Sequence, residues 1–378
     1  MLKENPVMKK FDLLVKSLSS SDRIAICHDL DADGISSGAL TSLAIKLLRG
    51  SGPDLVISQP FKTVEFLPSS IELLKEHKIN KLIVVDFALD QKQDSIRNAQ
   101  KVLDNLIIID HHKDYNFKED SKTLTGLVRP DKTQDVFIIK PQFVSDIEPS
   151  KYPCSKFCYD LFSRHVNLKS HSWAACAGLM GDNQFEEWKD FVLSEAKAHK
   201  STKSEIWKVT QIISSVEVLA PTKINELLHF IVKAKNPKAV VKSKYTKYLK
   251  KLDAGVKKLM KVFVKKKEIH PNADLIWFEF NSENNMKSIL INKVSNELYP
   301  SKTIIFVQDK GDGFVSFSAR GQDFKVKTNE LLETAVKGFE NAGAGGHIPA
   351  SAGRIMKKDL PELKRRIIHS LTNAKNMS

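Results

Sequence analysis

The stretch RIAICHDLDADG, residues 23–34, decides the fold of the first half of this chain. Its first five residues, Arg23 to Cys27, have the character of a buried strand, and a helical pattern follows over residues 34–48. Two more apolar runs, KLIVVD at 81–86 and NLIIID at 105–110, are separated by another helical pattern. Because strands alternate with helices, the sequence predicts an α/β fold with a parallel sheet covered on both faces.

Acidic and imidazole side chains follow each predicted strand. Because the carboxyl ends of parallel strands lie at one edge of a sheet, we expect these side chains to converge on one crevice. Crowded carboxylates repel each other, and divalent cations offset that repulsion. Mixed oxygen and imidazole ligands suit Mn²⁺, with Mg²⁺ or Co²⁺ as alternatives. The side chains after the three strands are His28, Asp29, Asp31 and Asp33, then Asp86, and then Asp110, His111 and His112.

Each of these motifs has an ordinary structural explanation when it is taken alone. An isolated DxD is usually a helix N-cap or a turn, and an isolated His-His pair usually lies at the surface or in the core. Their occurrence at three successive strand ends favours a metal centre instead. Gly34 then begins a helix whose N-terminus is suited to a phosphate. The four cysteines form no CxxC pair, which disfavours a disulfide framework or a thiolate zinc site.

A length of 378 residues exceeds what one hydrophobic core usually organises, so we expect more than one domain. From Ala273 onwards the chain changes to β-rich segments, with Gly311-Asp312-Gly313 as a hairpin turn. We therefore predict a parallel-sheet domain, a helical lysine-rich connector and a smaller C-terminal α/β domain. Their predicted bounds are residues 1–190, 191–268 and 269–378.

Positive charge is concentrated in the middle of the chain. The formal net charge is +14, and residues 238–267 hold twelve lysines against one acid, Asp253. Such a block is either a solvated helix face or a surface for a polyanion, and its density favours the polyanion. The aromatic residues Tyr245, Tyr248 and Phe263 within it either stack on bases or pack in the interior.

The composition excludes several classes of protein. Apolar residues make up 42% of the chain, which is ordinary for a globular protein, and the sequence has no apolar run long enough to span a membrane. The N-terminal residues MLKENPVMKKFDLL do not have the apolar region of a secretory signal. We therefore expect a soluble, cytoplasmic protein with no membrane partner.

The motifs together resemble those of the DHH phosphoesterases, in the branch of the RecJ single-strand exonucleases and their archaeal relatives. The resemblance covers residues 20–190 and 270–355 and leaves the lysine-rich middle unexplained. Its first half rests on Asp31 to Gly34 with Ser36 and Ser37, on Asp86 in VVDFA, on Asp110-His111-His112, and on Gly178 to Phe185, which contains Asp182. Its second half resembles the companion DHHA1 substrate-binding domain at Ser318 to Arg320, Gly343 to His347, Ala350, Ala352 and Gly353.

The resemblance implies a role for each of these positions. Two divalent cations would be held, with Asp86 between them, by Asp31, Asp33, Asp86, His111 and Asp182. His112 would face the scissile phosphate as a catalytic residue together with Asp110. A substrate phosphate would be held from the second domain, where glycines allow close approach of the backbone, by Arg320, Gly345, Gly346 and His347.

The chain departs from the family pattern in two places. RecJ-like proteins usually have a histidine four residues before the first aspartate of the DxD motif, where this chain has Cys27 followed by His28. We expect His28 to serve as the metal ligand, with Cys27 as the alternative. The second motif lacks its usual glycine and has Phe87-Ala88 instead, which affects the expected loop but not the carboxylate of Asp86.

The resemblance and the lysine block together predict a metal-dependent phosphodiesterase that hydrolyses single-stranded DNA or RNA as a RecJ-like exonuclease, by two-metal in-line attack. Two alternatives stay open. One is a phosphodiesterase or phosphatase for small substrates, such as oligoribonucleotides, cyclic dinucleotides or phosphoadenosine phosphate. The other is an inactive replisome scaffold, which the complete set of acids disfavours. Replication or repair proteins are the protein partners that this branch implies.

Overall fold

A computed structural model of the protein describes residues 2–58, 65–112, 135–282, 286–309 and 311–376. Contacts within the chain divide it into two units, Met1–Leu249 and Lys250–Ser378. The segment 191–268, which we predicted as a connector, is divided between these units. Among the described residues, no helix is both long enough and apolar enough to cross a membrane.

The sheet of the first unit consists of five parallel strands: β1 (Ile24–His28), β2 (Leu55–Ser58), β3 (Lys81–Val85), β4 (Asn105–Ile109) and β5 (Asp135–Ile139). The predicted α/β class is therefore confirmed, although the sequence pattern did not predict β2 and β5. The strand order is β2-β1-β3-β4-β5, so the direction of connection reverses between β1 and β3. In an open parallel sheet, the ligand crevice lies at that point, outside the carboxyl ends of the strands.

Helices cover the sheet of the first unit. They are α1 (Pro6–Lys16), α2 (Ala32–Arg49), α3 (Pro68–Glu76), α4 (Gln93–Gln100), α5 (Pro141–Val144), α6 (Cys154–Ser163), α7 (Ser172–Gly181), α8 (Lys189–Ala198), α9 (Lys203–Leu219), α10 (Ile224–Lys233) and α11 (Pro237–Val241). All five residues of β1 are buried, and successive side chains of a strand point to opposite faces, so both faces of β1 are covered. One core joins the strands to α1, α4 and α6, and a second joins α2 to α7, α9 and α10.

The second unit contains a six-stranded mixed sheet, as the β-rich pattern predicts. Its strands are β6 (Glu268–His270), β7 (Leu275–Asn281), β8 (Thr303–Asp309), β9 (Phe314–Arg320), β10 (Gly343–His347) and β11 (Ala350–Met356). The order is β10-β11-β9-β8-β7-β6, with β7 and β8 parallel and the other neighbours antiparallel. The antiparallel pairing of β8 with β9 confirms the hairpin predicted around Gly311 to Gly313.

The remaining helices are α12 (Thr246–Lys266), α13 (Lys287–Lys293), α14 (Thr328–Ala335) and α15 (Leu360–Asn376). Helix α12 begins just before the boundary between the two units. In α12, the ring of Phe263 lies 5.3 Å from that of Phe278 and 5.4 Å from that of Phe306. Phe263 is fully buried, and Tyr245 is only 2% exposed. The packing alternative is therefore correct for both residues, and neither is available for base stacking.

Candidate metal centre

Acidic side chains and an imidazole converge at the carboxyl edge of the first sheet. The Nε2 atom of His111 lies 3.4 Å from Asp86 Oδ1 and 3.4 Å from Asp182 Oδ2. Because Asp86 and His111 each belong to more than one group of closely spaced ligand atoms, the arrangement suits adjacent cations. The groups, whose ligand atoms lie within 4.8 Å of one another, are Asp86 with His111 and His112, Asp33 with His111 and Asp182, and Asp29 with Asp31 and Asp86.

Asp86 provides the test of whether this cluster fits a cation. Its side chain is buried, and its Oδ1 has no hydrogen-bond partner among the described residues, which is costly for a carboxylate. Burial raises the pKa of Asp86 far above its usual range, and the charges of Asp33 and Asp31 raise it further. Burial also raises the pKa of Asp182. A divalent cation would offset these penalties, so the residues present fit a metal centre.

The backbone holds Asp86 in an unusual conformation directly after β3. Its φ angle is 53°, in the left-handed region that residues other than glycine seldom adopt. Its N–H donates to the carbonyl oxygen of Ile109 at the end of β4, at 3.0 Å. Strain of this kind persists where the surroundings fix it, and it is concentrated at functional sites. The Phe87-Ala88 departure therefore leaves the carboxylate of Asp86 in the cluster.

The two aspartates of the DxD motif have different surroundings. Asp31 is the N-cap of α2, and its Oδ1 accepts hydrogen bonds from the N–H groups of Asp33 and Gly34, at 3.0 Å each. Asp33 is buried and accepts hydrogen bonds from the N–H groups of Cys154, at 2.6 Å, and Ser155, at 3.0 Å. These two residues begin α6, so a helix N-terminus stabilises the charge of Asp33. The N-cap explanation is thus correct for Asp31, which still lies among the clustered acids.

Glycines of the fourth motif hold α7 against the start of α2. A Cβ atom on Gly178 would lie 2.8 Å from Asp33 Oδ1, and one on Gly181 would lie 2.7 Å from the Cβ of Ala32. Neither approach leaves room for a methyl group. Asp182 directly follows α7 as its C-cap, so this close packing brings its carboxylate to the cluster.

The structure does not bring His28 into the metal cluster. The side chain is fully buried, its Nδ1 lies 2.6 Å from the carbonyl oxygen of Asp29, and its Nε2 lies 3.1 Å from Asn225 Oδ1 in α10. Burial lowers the pKa of His28, which favours the neutral ring. Both nitrogens lie against other parts of the protein and His28 belongs to none of the groups of closely spaced ligand atoms, so the predicted ligation by His28 is corrected. Cys27, the alternative, is buried in the core around β1, and Asp29 joins the cluster instead.

Asp110 belongs to none of these groups of ligand atoms but supports His112, which belongs to one of them. Its Oδ1 accepts a hydrogen bond from His112 Nδ1 at 2.7 Å, and its Oδ2 accepts one from Lys140 Nζ at 3.0 Å. Lys140 is fully buried and also bonds to Asp90 Oδ2 at 2.7 Å and to the carbonyl oxygen of His112 at 2.7 Å. The chain Asp90–Lys140–Asp110–His112 therefore fixes both the ring and the backbone of His112.

Interactions within this series of four hydrogen-bonded residues set the protonation states of Asp110 and His112. Burial would raise the pKa of Asp110, but the hydrogen bond from His112 and the charge of Lys140 outweigh it and hold that pKa well below its usual range. Burial would lower the pKa of His112, but its bond to Asp110 raises that pKa to about 9. At neutral pH, Asp110 is thus an ionised carboxylate and His112 is a positively charged imidazolium.

Asp90 and Lys140 were not identified from the sequence, and Asp29 was placed among the convergent side chains without a role as a ligand. Lys140 directly follows the apolar run of β5, at residues 135–139. A charged residue at the end of an apolar run is the same signal that identified Asp86. Lys140 could therefore have been identified from the sequence if β5 had been predicted. Asp90 has no comparable signal, because its role depends on a lysine that is distant in sequence.

The predicted phosphate-binding residues lie together in the second unit. Arg320 ends β9 opposite Ala350, and the neighbouring pair across the next ladder is Ala350 with His347. The guanidinium of Arg320 donates to Asn292 Oδ1 from Nε and to the carbonyl oxygen of Ala319 from Nη1, each at 2.8 Å. Gly345 and Gly346 precede His347 in β10; a Cβ on Gly346 would lie 2.6 Å from the carbonyl oxygen of Ala350.

Family models match both units of the chain. The model of the DHH family, N-terminal domain, matches residues 23–156, and the model of the DHHA1 domain matches residues 261–373. The chain belongs to the DHH/DHHA1 superfamily. Members of this superfamily are phosphoesterases, and the predicted resemblance is confirmed at that level. No curated protein sequence matches the chain.

Solved structures of RecJ share this fold. RecJ from Thermus thermophilus in complex with Mn²⁺ has a TM-score of 0.69 at 16% identity, over 99% of this chain and 56% of that one. Exonuclease RecJ bound to manganese has a TM-score of 0.65 at 15% identity, over 97% and 94% of the two chains. CDC45 from Entamoeba histolytica has a TM-score of 0.56 at 8% identity, over 97% and 99%. The DHH/DHHA1 chain therefore spans just over half the length of the Thermus protein.

Neutralising Asp86 tests the charge balance of the metal centre without an activity assay. In EDTA at neutral pH, we expect Asp86→Asn to raise Tm, because folding then no longer requires protonation of a buried carboxyl whose pKa is raised; a gain of 1 kcal/mol corresponds to about 2–4 °C at this size. Added Mn²⁺ should stabilise the wild type by roughly 2.7 kcal/mol at a hundredfold excess over Kd, and the variant much less. Thermal unfolding with and without Mn²⁺ measures both effects. Asp146→Asn, at an exposed acid, is the control and should change neither.

Two variants test the position of His28. His28→Ala and Asn225→Ala each remove the contact between β1 and α10, so each should lower the free energy of unfolding by about 1–3 kcal/mol. Neither should alter the Mn²⁺ affinity measured by isothermal titration calorimetry. If His28→Ala weakened Mn²⁺ binding while Asn225→Ala did not, His28 would belong to the metal centre after all.

Lys140→Met tests the buried ion pairs. The substitution leaves Asp90 and Asp110 buried without their cation, so we expect a loss of about 3–5 kcal/mol in the free energy of unfolding measured by urea denaturation. Lys75→Met removes an exposed pair with Glu72 and should cost about 0–1 kcal/mol. Similar losses in the two variants would contradict a structural role for the Lys140 pairs.

Proposed function

We propose that this DHH/DHHA1 protein is a metal-dependent phosphodiesterase that degrades single-stranded nucleic acid from an end, as a RecJ-like exonuclease. The observation that carries the chemistry is that Asp86 belongs to two of the groups of closely spaced ligand atoms. Its buried Oδ1 has no hydrogen-bond partner among the described residues. An acidic cluster of this kind suits in-line hydrolysis of a phosphodiester between two cations.

The residues of the first unit have separate parts in this proposal. Cations, with Mn²⁺ as the preferred ion and Mg²⁺ or Co²⁺ as alternatives, would supply a water of lowered pKa and neutralise charge on the phosphoryl group. They would be held by Asp31, Asp33, Asp86, His111 and Asp182. His112 is half exposed and is bound to Asp110 through Nδ1, so its Nε2 is the atom to face a phosphoryl oxygen. Asp110 and Lys140 orient that ring.

The second unit would hold the substrate. Arg320 is fixed by Asn292, which prepares its guanidinium for a phosphate before any substrate binds. Gly345, Gly346 and the backbone of His347 lie on β10, which β11 separates from β9, and would allow close approach of a phosphate to the main chain.

Helix α12 favours a long substrate over a small one. Its 21 residues span about 30 Å, and its core-facing side includes Leu252, Val256 and Phe263. The other side exposes lysines along the whole length, which we call the lysine stripe: Lys247, Lys250, Lys251, Lys257, Lys258, Lys261, Lys265 and Lys266. A dinucleotide or another small phosphodiester would not need a basic surface of this length. The stripe therefore supports single-stranded DNA or RNA as the substrate.

A scaffold without catalysis is the weaker proposal, although CDC45 shares the fold. The acids of the metal centre are complete in this chain, and a scaffold would have no need of a buried carboxylate without a hydrogen bond. Contacts with replication or repair proteins are compatible with either proposal.

Digestion of end-labelled strands tests the proposed activity. With Mn²⁺, strands of DNA or RNA labelled at the 5′ or the 3′ end should yield mononucleotides from one end, and EDTA or Asp86→Asn should stop the reaction. Hydrolysis of dinucleotides with no digestion of longer strands would support the small-substrate alternative instead.

Neutralising the lysine stripe separates long from short substrates. For a single strand, each lost phosphate contact should flatten the slope of log affinity against log salt by ~0.7. We expect weaker binding and a shallower slope for a long strand, and unchanged hydrolysis of a dinucleotide. The variant carries Gln at Lys250, Lys251, Lys257, Lys258 and Lys261. The control variant makes the same change in net charge at exposed lysines of the first unit: Lys9, Lys16, Lys75, Lys101 and Lys197.

Fluorescence anisotropy over a range of salt concentrations measures the slope for both variants. Equal effects of the two sets would mean that net charge alone attracts the strand. No effect of either set would make the lysine stripe a solvated helix face.

A further inference from the structure

An aromatic ring projects from the loop that follows β9. Phe324 is 62% exposed, more than any other large hydrophobic side chain in the described part of the second unit. Its φ angle is 59°, in the left-handed region, where a side chain with a Cβ atom is strained. Exposure of a large ring and a strained backbone each disfavour phenylalanine at this position. A residue that costs stability in two ways points to a role in binding.

The loop that carries Phe324 is held in one conformation. The N–H of Phe324 donates to the carbonyl oxygen of Gly321 at 3.1 Å, and the N–H of Gly321 donates to that of Pro349 at 3.0 Å. At the other end, Thr328 donates to the carbonyl oxygen of Ile348 from its N–H, at 2.9 Å, and from Oγ1, at 2.8 Å. These bonds fasten both ends of the loop to the turn between β10 and β11, so the ring is presented on a fixed support.

The surroundings of this loop are suited to a polyanion with flat groups. The loop begins directly after Arg320, and the turn that anchors it follows the glycine-rich strand β10. Lys325 and Lys327 are both exposed in this loop, where Lys325 pairs with Asp323 at 3.4 Å and Lys327 pairs with Glu330 at 3.0 Å. Ile348, in the same turn, adds a second exposed apolar side chain, at 41%. Cations beside an exposed aromatic face are the features with which proteins bind single strands.

We propose that Phe324 is a base-stacking platform for the single strand whose phosphate is held by Arg320 and β10. This inference rests on the proposed function and narrows it: stacking requires a nucleobase, so the site would favour nucleic acid over a bare phosphate polymer. Every base has a flat face, so the contact would be tolerant of sequence. A protein-docking surface is the competing explanation, but a single ring among charged residues offers little of the contiguous apolar area that such a surface needs.

Removal of the ring should affect only ligands that carry bases. Phe324→Ala should weaken binding of a labelled single-stranded 12-mer by about 5- to 150-fold, because stacking on an aromatic side chain contributes about 1–3 kcal/mol per base. The same variant should bind a 12-mer of abasic sugar phosphates as tightly as the wild type does. Phe324→Trp should bind the base-containing strand about as well as the wild type. Fluorescence anisotropy in EDTA measures all of these affinities.

The matched control is Ile269→Ala. Ile269 is 58% exposed and lies on β6, at the opposite edge of the same sheet from β10. The substitution removes a similar exposed apolar side chain, so it should change neither affinity. A loss with Ile269→Ala equal to that with Phe324→Ala would contradict a specific platform.

Phe324→Gly separates binding from folding. Glycine adopts a positive φ without strain, so Tm should stay the same or rise while affinity for the base-containing strand falls as it does in Phe324→Ala. A fall in Tm together with equal losses for both strands would mean that Phe324 maintains the loop. If Phe324→Ala bound each of the two strands as tightly as the wild type does, the platform would also be overturned and a protein-docking role favoured.

Failure of the inference differs from failure of the proposed function. If the wild type binds and digests single strands, and Phe324→Ala does so equally well, only the stacking assignment is wrong. If the wild type neither binds nor digests single strands with Mn²⁺, the proposed function itself is wrong.

Discussion

Repulsion among carboxylates at the carboxyl edge of the first sheet is the constraint on which the rest of the first unit depends. The fold brings several acids within a few ångströms of Asp86 and leaves one of its oxygens without a hydrogen bond. Part of the repulsion is offset by the protein itself, through the N-terminus of α6 at Asp33. Bound cations would offset the remainder, and they would link the stability of the fold to its chemistry.

A second layer of charge is balanced entirely within the protein. Lys140 lies between Asp90 and Asp110, so its ammonium group is satisfied without solvent or metal. Asp110 can then orient His112 without competing for a cation. The three residues of the DHH motif therefore have different surroundings: His111 belongs to two groups of ligand atoms, His112 belongs to one, and Asp110 belongs to none and holds His112 through a hydrogen bond.

The pattern of apolar and acidic residues along the sequence predicted those elements of the structure that depend on residues close together in the chain. The three strands with terminal acids were predicted because apolar runs and the residues after them are adjacent in sequence.

The assignment of His28 was wrong because β1 extends one residue further than predicted, to His28 itself. Since side chains alternate along a strand, a shift of one residue moves a side chain to the opposite face. His28 consequently contacts Asn225, and Asp29 enters the cluster. Lys140 was missed because its partners are distant in sequence, and for Tyr245 and Phe263 the pattern could not separate packing from stacking.

The hydrogen bond from Cys154 to Asp33 also has a consequence for the order of events during folding. It joins residues 121 positions apart, so it cannot form until the start of α6 has docked against the start of α2. Contacts between such distant residues form slowly, because a long loop must first be closed. An unfolded or half-folded chain therefore has no assembled binding site, and its scattered acids compete poorly for ions. We expect cation capture to follow folding, so that the finished protein, and not the nascent chain, selects its metal.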